Sequence, residues 1–135
     1  MFRYKYGGEP RRAWKTEVTW AYTPNSAARS AYVESIKASH DLLYIHGSGK
    51  TFSGYDAHEV VLIEDLRRGT FKYPHLTALL DRYPCRIPVT RNARCYREFL
   101  ARKMYVVSTQ HPLTFLPAGE TQLHLLRRID NIVAL

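Results

Sequence analysis

One stretch of the chain, residues 59–66, constrains the possible folds more than any other part of the sequence. The apolar residues 60–63 are followed directly by two carboxylates, Glu64 and Asp65. A short apolar run of this kind is typical of a strand that is buried on both faces of a parallel sheet. The sequence therefore predicts a buried strand over about 58–64 that carries two acidic side chains to one edge of a sheet.

An apolar strand that ends in two carboxylates has the pattern of a Walker B element. In such an element one carboxylate holds Mg²⁺, usually through water, and its neighbour orients the attacking water. Phosphoryl-transfer sites also need a polar side chain and a cation. Both types occur downstream, since Gln110 follows the apolar run 104–107 and the pair Arg127 and Arg128 ends a segment of helical composition. This order favours a nucleotide site, although acidic, polar and basic residues also end ordinary strands and helices.

Composition and charge indicate one globular domain with a basic surface. The 135 residues are 45% hydrophobic, and no apolar run approaches the roughly 20 residues of a membrane span. The net charge of +8 favours a polyanionic partner, either single-stranded DNA or RNA, and ten tyrosines offer surfaces for base stacking. The N-terminus has no apolar signal segment, and the two cysteines lack zinc or disulfide spacing, so we expect an intracellular protein.

Strand-like and helix-like segments alternate along the chain. Residues 1–13 have the composition of a basic leader, and residues 14–135 that of the folded domain. We expect strands over 17–22, 41–46, 58–64, 86–89 and 104–108, and helices over 27–38, 73–80 and 120–128. Such an alternation indicates an α/β domain with a mainly parallel sheet flanked by helices.

Two segments compete for the phosphate loop, whose pattern is G-x-x-x-x-G-K-[ST] with a helix starting at the lysine. The segment 47–51 contains Gly-Lys-Thr after a strand, but a turn-like sequence follows it, so no helix N-terminus is available for phosphate. The segment 23–30 lies between a predicted strand and a predicted helix and matches the loop position for position. We therefore place the nucleotide-binding loop at Thr23, Pro24, Asn25, Ser26, Ala27, Ala28, Arg29 and Ser30.

The chemistry of this loop departs from the pattern that it matches in length. Thr23 and Ala28 stand at the two glycine positions, and Arg29 stands at the lysine position. Ser30 keeps the hydroxyl that binds Mg²⁺ in such loops. Side chains obstruct the backbone geometry and the close phosphate approach that glycines allow, and a planar guanidinium differs from a compact ammonium. We therefore expect ATP binding to be weak or lost.

Taken together, these segments resemble the superfamily 3 helicase domain of replication-associated proteins from circoviruses and cycloviruses, which are small circular single-stranded DNA viruses. The resemblance covers about 11–135 and includes Gly-Tyr-Asp before the acidic strand and Asp-Arg-Tyr-Pro after it. It is carried by residues 14–18, 23–30, 44–45, 54–56, 60–66, 81–84 and 127–129. It implies a P-loop NTPase fold of the AAA+-like class that assembles as a homo-oligomeric ring, with ATP and Mg²⁺ as cofactors and single-stranded DNA as partner.

The resemblance also implies roles for the residues of the predicted site. Arg29 and Ser30 occupy the Walker A lysine and serine/threonine positions. Glu64 and Asp65 occupy the Walker B positions, where the family usually has two aspartates. Ser30, Glu64 and Asp65 would accordingly form the metal site. One cation, one hydroxyl and two carboxylates are therefore expected around the phosphates.

Outside this group, the resemblance implies a sensor, an arginine finger and a DNA-contacting region. Gln110 stands where the family has the motif C asparagine, and Arg127 or Arg128 would be the finger, acting in trans. The segment 90–92 replaces the family's basic-glycine turn in the DNA-contacting region. We expect nucleic acid to bind the basic residues there, Arg91, Arg94, Arg97, Arg102 and Lys103.

Three functions stay open at the level of sequence. The first is a helicase module for rolling-circle replication in the host nucleus, which the acidic and arginine pairs favour. The second is a non-catalytic remnant, truncated or endogenised, that binds nucleic acid or a full-length replication protein; the altered phosphate loop favours it. The third is a decaying copy without a selected function. Because the family's endonuclease domain is not recognisable here, we expect no nicking activity.

Overall fold

The fold is built around a five-stranded parallel sheet. The computed structural model describes residues 10–46, 51–67, 69–90, 95–116 and 119–135. The strands are β1 (Glu17–Tyr22), β2 (Leu43–His46), β3 (Val60–Glu64), β4 (Arg86–Pro88), β5 (Tyr96–Glu98), β6 (Lys103–Ser108) and β7 (Asn131–Ala134). The central sheet has the order β2-β3-β6-β1-β7, and all its neighbouring strands run parallel. Their carboxyl ends therefore meet along one side, the carboxyl edge, and their starts lie along the amino edge.

Helices cover both faces of this sheet. They are α1 (Ser26–Ser39), α2 (Tyr73–Leu79), α3 (Pro112–Phe115) and α4 (Glu120–Arg127). On one face, Val33 of α1 packs with Leu62 of β3 and Val107 of β6. The larger core cluster lies on the other face and includes Phe115 of α3 and Leu125 of α4. None of the described helices is both long and apolar enough to cross a membrane.

The predicted α/β class with a mainly parallel sheet is confirmed, and the discrepancies concern short elements. The strand predicted over 41–46 begins at Leu43, and α1 begins at Ser26. Three elements were not predicted, namely β5, α3 and β7. β5 has three residues and pairs antiparallel with β4 outside the central sheet. Elements this short carry too little periodicity to be recognised, because partners distant in sequence stabilise them.

Arg12 lies in the segment expected to be a loose leader, yet its side chain is only 2% exposed. Its Nη atoms donate to the carbonyl oxygens of Ala78 and Leu79, at 2.6 and 2.7 Å, and Nη2 donates to the Tyr83 carbonyl at 2.6 Å. α2 has no basic residue in its own last turn. Arg12 therefore supplies the cation that the carbonyls at a helix C-terminus attract, and it belongs to the core rather than to a polyanion-binding surface.

A second internal contact joins α4 to the segment after α2. Arg128 Nε lies 3.0 Å from Asp81 Oδ2, and both side chains are about three-quarters buried. Burial alone would raise the pKa of Asp81, but the backbone N–H of Arg82 and the Arg128 guanidinium outweigh burial and lower it. The ionised form of Asp81 is therefore favoured by folding.

Replacing Asp81 by asparagine is expected to lower the free energy of unfolding by about 1–2 kcal/mol at pH 7. Because folding lowers the pKa of Asp81, its contribution is complete above the unfolded pKa, near 3.9, and is lost as the pH falls through the folded pKa. Urea unfolding at pH 7 and in acid should therefore show a difference between wild type and Asp81→Asn that shrinks below about pH 4. The exposed Asp41→Asn change is the control, and an equal effect of both changes would contradict the account.

Candidate functional site

The carboxyl edge of the sheet brings the loops after β1 and β3 to the end of β6. The Asp65 backbone N–H donates to the Val107 carbonyl at 2.8 Å, and that of Thr23 donates to the Ser108 carbonyl at 3.1 Å. Since β6 lies between β1 and β3, these two bonds fix both loops on the same central strand. The segment predicted to bind phosphate and the acidic strand end are therefore held side by side.

A pocket of about 200 Å³ lies at this edge, between the start of α1 and the end of β3. Five of the predicted site residues line it, namely Ser26, Arg29, Ser30, Glu64 and Asp65. His46 completes the lining. Sequence reasoning did not single out His46, although its place at the end of the strand beside β3 is a signal that could have identified it. We name this cavity the edge pocket.

The start of α1 differs from the predicted phosphate loop. The helix begins at Ser26, before Arg29, so residues 26–28 are helical and only 23–25 remain as loop. Alanine favours the helix at positions where glycine would resist it. The Asn25 side chain caps the helix, because its Oδ1 accepts from the Ala28 backbone N–H at 3.1 Å. One of the first-turn N–H groups that a phosphate would use is therefore already occupied.

Arg29, at the predicted lysine position, makes a contact within its own loop. Its Nη1 donates to the Thr23 carbonyl oxygen at 2.7 Å. The side chain is half-buried, whereas Ser30 beside it is exposed. The positive charge therefore lies in the edge pocket, but part of its donor capacity is used by the backbone.

Glu64 is held by a tyrosine from the neighbouring strand. The Tyr44 hydroxyl donates to Glu64 Oε1. Burial, together with this bond and the charge of Glu64, raises the pKa of Tyr44 to about 12. The Lys37 Nζ lies 4.0 Å from the centre of the Tyr44 ring and supports it from α1. Tyr44 therefore stays a neutral donor near pH 7 and fixes the position of the Glu64 carboxylate.

Asp65 turns the chain at the end of β3. Its φ of 58° lies in the left-handed region, which few residues other than glycine, asparagine and aspartate tolerate. Its Oδ2 lies 2.8 Å from Arg67 Nη2 and 3.7 Å from His46 Nε2. Asp65 thus pairs with Arg67 and lies beside His46 where both line the edge pocket.

The donor set of the edge pocket fits Mg²⁺ in chemical type. The hydroxyl of Ser30 and the carboxylates of Glu64 and Asp65 are hard oxygen donors, which Mg²⁺ prefers. Among the described residues, no group of three or more His, Cys, Asp or Glu side chains forms a protein-only metal site. A magnesium ion held here would therefore need phosphate oxygens or water to complete its coordination, as is usual for this ion.

The predicted sensor and arginine-finger residues lie outside the lining of the edge pocket. Gln110 follows β6 at the carboxyl edge with an exposed side chain, and its carbonyl accepts from Trp20 Nε1 at 2.9 Å. Arg127 and Arg128 lie at the amino edge, because Asp130, two residues after Arg128, donates its backbone N–H to the Val18 carbonyl at the start of β1. Arg128 is paired with Asp81, whereas Arg127 is exposed.

The described members of the predicted nucleic-acid set, Arg97, Arg102 and Lys103, do not line the edge pocket. Arg97 lies on β5, and Lys103 begins β6 at the amino edge. The Arg102 guanidinium stacks on the Trp14 ring, 4.0 Å from its centre. Arg91 and Arg94 lie outside the described residues, as does the Gly-Lys part of the alternative loop at 47–50.

A parallel sheet with helices on both faces, in which an acidic strand ends beside the first helix, is an α/β fold consistent with the P-loop NTPase-like kind. The chain is homologous to the replication-associated proteins of circoviruses and cycloviruses. It is 31% identical over 132 residues to that of Porcine circovirus 2, covering 94% of this chain and 40% of that protein. It is 27% identical over 125 residues to that of Beak and feather disease virus, covering 93% and 41%.

A similarity over a shorter stretch extends to a cyclovirus. The chain is 28% identical over 103 residues to the replication-associated protein of Human associated cyclovirus 1, which covers 73% of this chain and 35% of that protein. No protein-family model matches the sequence. The chain spans about two fifths of the length of the circovirus relatives that it matches over most of its own length.

Proposed function

We propose that this chain is an ATP-binding domain of the superfamily 3 helicase type that acts in the replication of a circular single-stranded DNA genome and hydrolyses ATP slowly. One observation carries the proposal: the edge pocket unites Arg29 and Ser30 of α1 with Glu64 and Asp65 at the end of β3. Homology to viral replication-associated proteins supports the setting in genome replication.

The residues of the edge pocket suit phosphoryl transfer to water. Bound Mg·ATP supplies the phosphoanhydride bond and the metal charge that neutralises developing negative charge. Ser30 and Asp65 would hold the metal, and Arg29 would bind phosphate. Glu64 would orient the attacking water and accept its proton, and Tyr44 would keep that carboxylate in place.

The slow rate of ATP hydrolysis that we propose follows from the contacts at the start of α1. The phosphate loop is shortened to 23–25, the Asn25 side chain occupies the Ala28 amide, and Arg29 donates to the loop carbonyl of Thr23. Each of these contacts must loosen before the β- and γ-phosphates can occupy the same space. Phosphate affinity is therefore reduced rather than supported by a preformed cradle.

The arginine finger of the proposed ring is Arg127. Its neighbour Arg128 is committed to Asp81 and to the His124 carbonyl of its own chain. Arg127 is exposed and lies at the opposite edge of the sheet from the edge pocket of the same chain. This position supports a role at the site of a neighbouring subunit rather than at its own site.

A second candidate function is a non-catalytic domain that binds nucleic acid or a replication protein. The contact of Arg29 with Thr23 favours it, because an arginine satisfied by its own loop has less need of a phosphate. The net charge of +8 is compatible with both functions. The two differ in one property, which is turnover of ATP.

Hydrolysis of Mg·ATP with and without single-stranded DNA tests the proposal. We expect slow, DNA-stimulated turnover by the wild type and a loss of roughly 10-fold or more in Arg29→Ala, since a charged donor to phosphate is removed. Combining Ala28→Gly with Arg29→Lys should raise the rate by restoring two positions of the loop. Exposed Arg82→Ala is the control. Equal rates of ATP hydrolysis in the wild type and in Arg29→Ala would contradict the proposal. Absence of hydrolysis in the wild type and in every variant would favour the non-catalytic function.

A further inference from the structure

A second cavity, of about 270 Å³, lies between the start of α2 and the β4–β5 hairpin. Lys72 and His75 line it from the α2 side, and Arg86 and Tyr96 line it from the hairpin. Phe71 forms part of the same wall. We name it the hairpin groove, and its lining residues differ from those of the edge pocket.

The hairpin groove is positively charged. Arg86 is mostly exposed, and its contacts are long, since Nε lies 3.6 Å from Glu98 Oε2 and Nη2 lies 3.5 Å from the Tyr96 carbonyl. A guanidinium fork with such contacts keeps donors for a further acceptor. Burial lowers the pKa of His75, so this ring is neutral at pH 7. The positive charge of the groove therefore comes from Lys72 and Arg86, and its described lining contains no carboxylate.

The groove also presents an aromatic surface. Tyr96 is 45% exposed although it lies within β5, where it pairs with Pro88 of β4. Phe71 stacks on Phe52, with ring centres 5.6 Å apart and planes at 16°, which holds the wall of the groove to the core. An exposed ring beside two cations is the combination by which proteins bind single strands, because bases stack on the ring while cations bind phosphates.

We propose that the hairpin groove binds one nucleotide unit of single-stranded nucleic acid, with the base stacked on Tyr96 and the adjoining phosphate held by Lys72 and Arg86. This inference rests on the proposed function and adds to it a position for the strand. Stacking on a ring and attraction to phosphate do not discriminate between bases, so binding at the groove is independent of sequence and sensitive to salt.

The groove is connected to the edge pocket through the backbone. The segment that begins at Asp65 ends at Lys72, and Gly69, with φ of 87°, provides its turn. The Arg67 backbone N–H donates to Thr70 Oγ1 at 3.4 Å, which closes that turn. A strand held at Lys72 therefore contacts the same loop that carries a carboxylate of the edge pocket.

Fluorescence anisotropy with labelled oligo-dT and oligo-U, measured without ATP over a range of salt, tests the groove and separates DNA from RNA. Tyr96→Ala should weaken binding about 5- to 150-fold, the loss expected for one stacked base, and Tyr96→Phe should keep most of the affinity. The Lys72→Ala/Arg86→Ala variant should lower the slope of log K against log salt by about 1.4, or about 0.7 for each charge. Tyr83→Ala, whose ring is 69% exposed, and Arg82→Ala are matched controls.

The inference is overturned if Tyr96→Ala and the double variant bind with wild-type affinity and salt slope, or if the wild type binds neither oligomer. Mg·ATP binding measured on the same variants separates the two proposals. If the protein binds ATP and the groove variants keep the wild-type affinity for DNA, the proposed function is supported and the groove is excluded as the nucleic-acid site. If the groove variants lose affinity for DNA and the protein binds no ATP, the groove is supported as the nucleic-acid site and the proposed ATP-binding function is excluded. Retained circular dichroism in Tyr96→Ala, beside Tyr96→Phe, shows that folding is intact.

Discussion

Replacing Arg12 by methionine is expected to lower the free energy of unfolding by about 3–5 kcal/mol. The change keeps an apolar stem of similar length but removes the donors that Ala78, Leu79 and Tyr83 use. Each buried carbonyl left without a partner costs about 1–3 kcal/mol, and α2 also loses the cation at its C-terminus. A loss of this size is a large part of the 5–15 kcal/mol that typically stabilises a domain.

Urea unfolding followed by circular dichroism measures this loss. Arg11→Met is the matched control, because Arg11 is the adjacent residue, carries the same charge and is exposed. It should change the free energy of unfolding by less than about 0.5 kcal/mol. An Arg12→Met protein within about 1 kcal/mol of the wild type would show that the buried guanidinium does not stabilise the end of α2.

Replacing Glu64 by glutamine is expected to reduce ATP hydrolysis roughly 100-fold or more while leaving Mg·ATP binding close to that of the wild type. The amide cannot accept a proton from water, but its oxygen can still accept from the Tyr44 hydroxyl, so the local structure is kept. The expected signature is therefore a loss in kcat rather than in affinity.

Glu59→Gln is the matched control for this experiment. Glu59 is exposed and directly precedes β3, at the opposite end of the strand that delivers Glu64. The same chemical change at that end should leave hydrolysis unaltered. Equal rates of ATP hydrolysis in the wild type and in Glu64→Gln would exclude Glu64 as the residue that activates the attacking water.

The long buried strands were predictable from sequence because their side chains are apolar on both faces. The runs that became β3 and β6 needed no partner to be recognised, and parallel pairing then places their polar ends at one edge. Arg29 and Ser30 meet Glu64 and Asp65 at this edge, in the grouping that the family resemblance implied.

The other features of the fold and of the candidate sites could not be predicted, because they depend on contacts between residues distant in sequence. The three carbonyl partners of Arg12 lie more than 60 positions away. Thr16 is near in sequence and its Oγ1 accepts from Arg12 at 2.9 Å, but its presence does not by itself distinguish Arg12 from the exposed neighbour Arg11. Arg128 and Arg127 are likewise adjacent and chemically identical, yet only Arg128 faces Asp81. Tyr96 lies in a stretch that reads as basic, and its exposure in the hairpin groove depends on the pairing of β5 with β4.

Equilibrium binding of Mg·ATP to the wild-type protein, measured by titration calorimetry, tests the central claim most directly. We predict saturable, magnesium-dependent binding in the millimolar range or tighter, weakened in Arg29→Ala and unchanged in Arg82→Ala. Absence of saturable binding at millimolar Mg·ATP, or equal affinity in the wild type and Arg29→Ala, would contradict the assignment of the edge pocket as a nucleotide site.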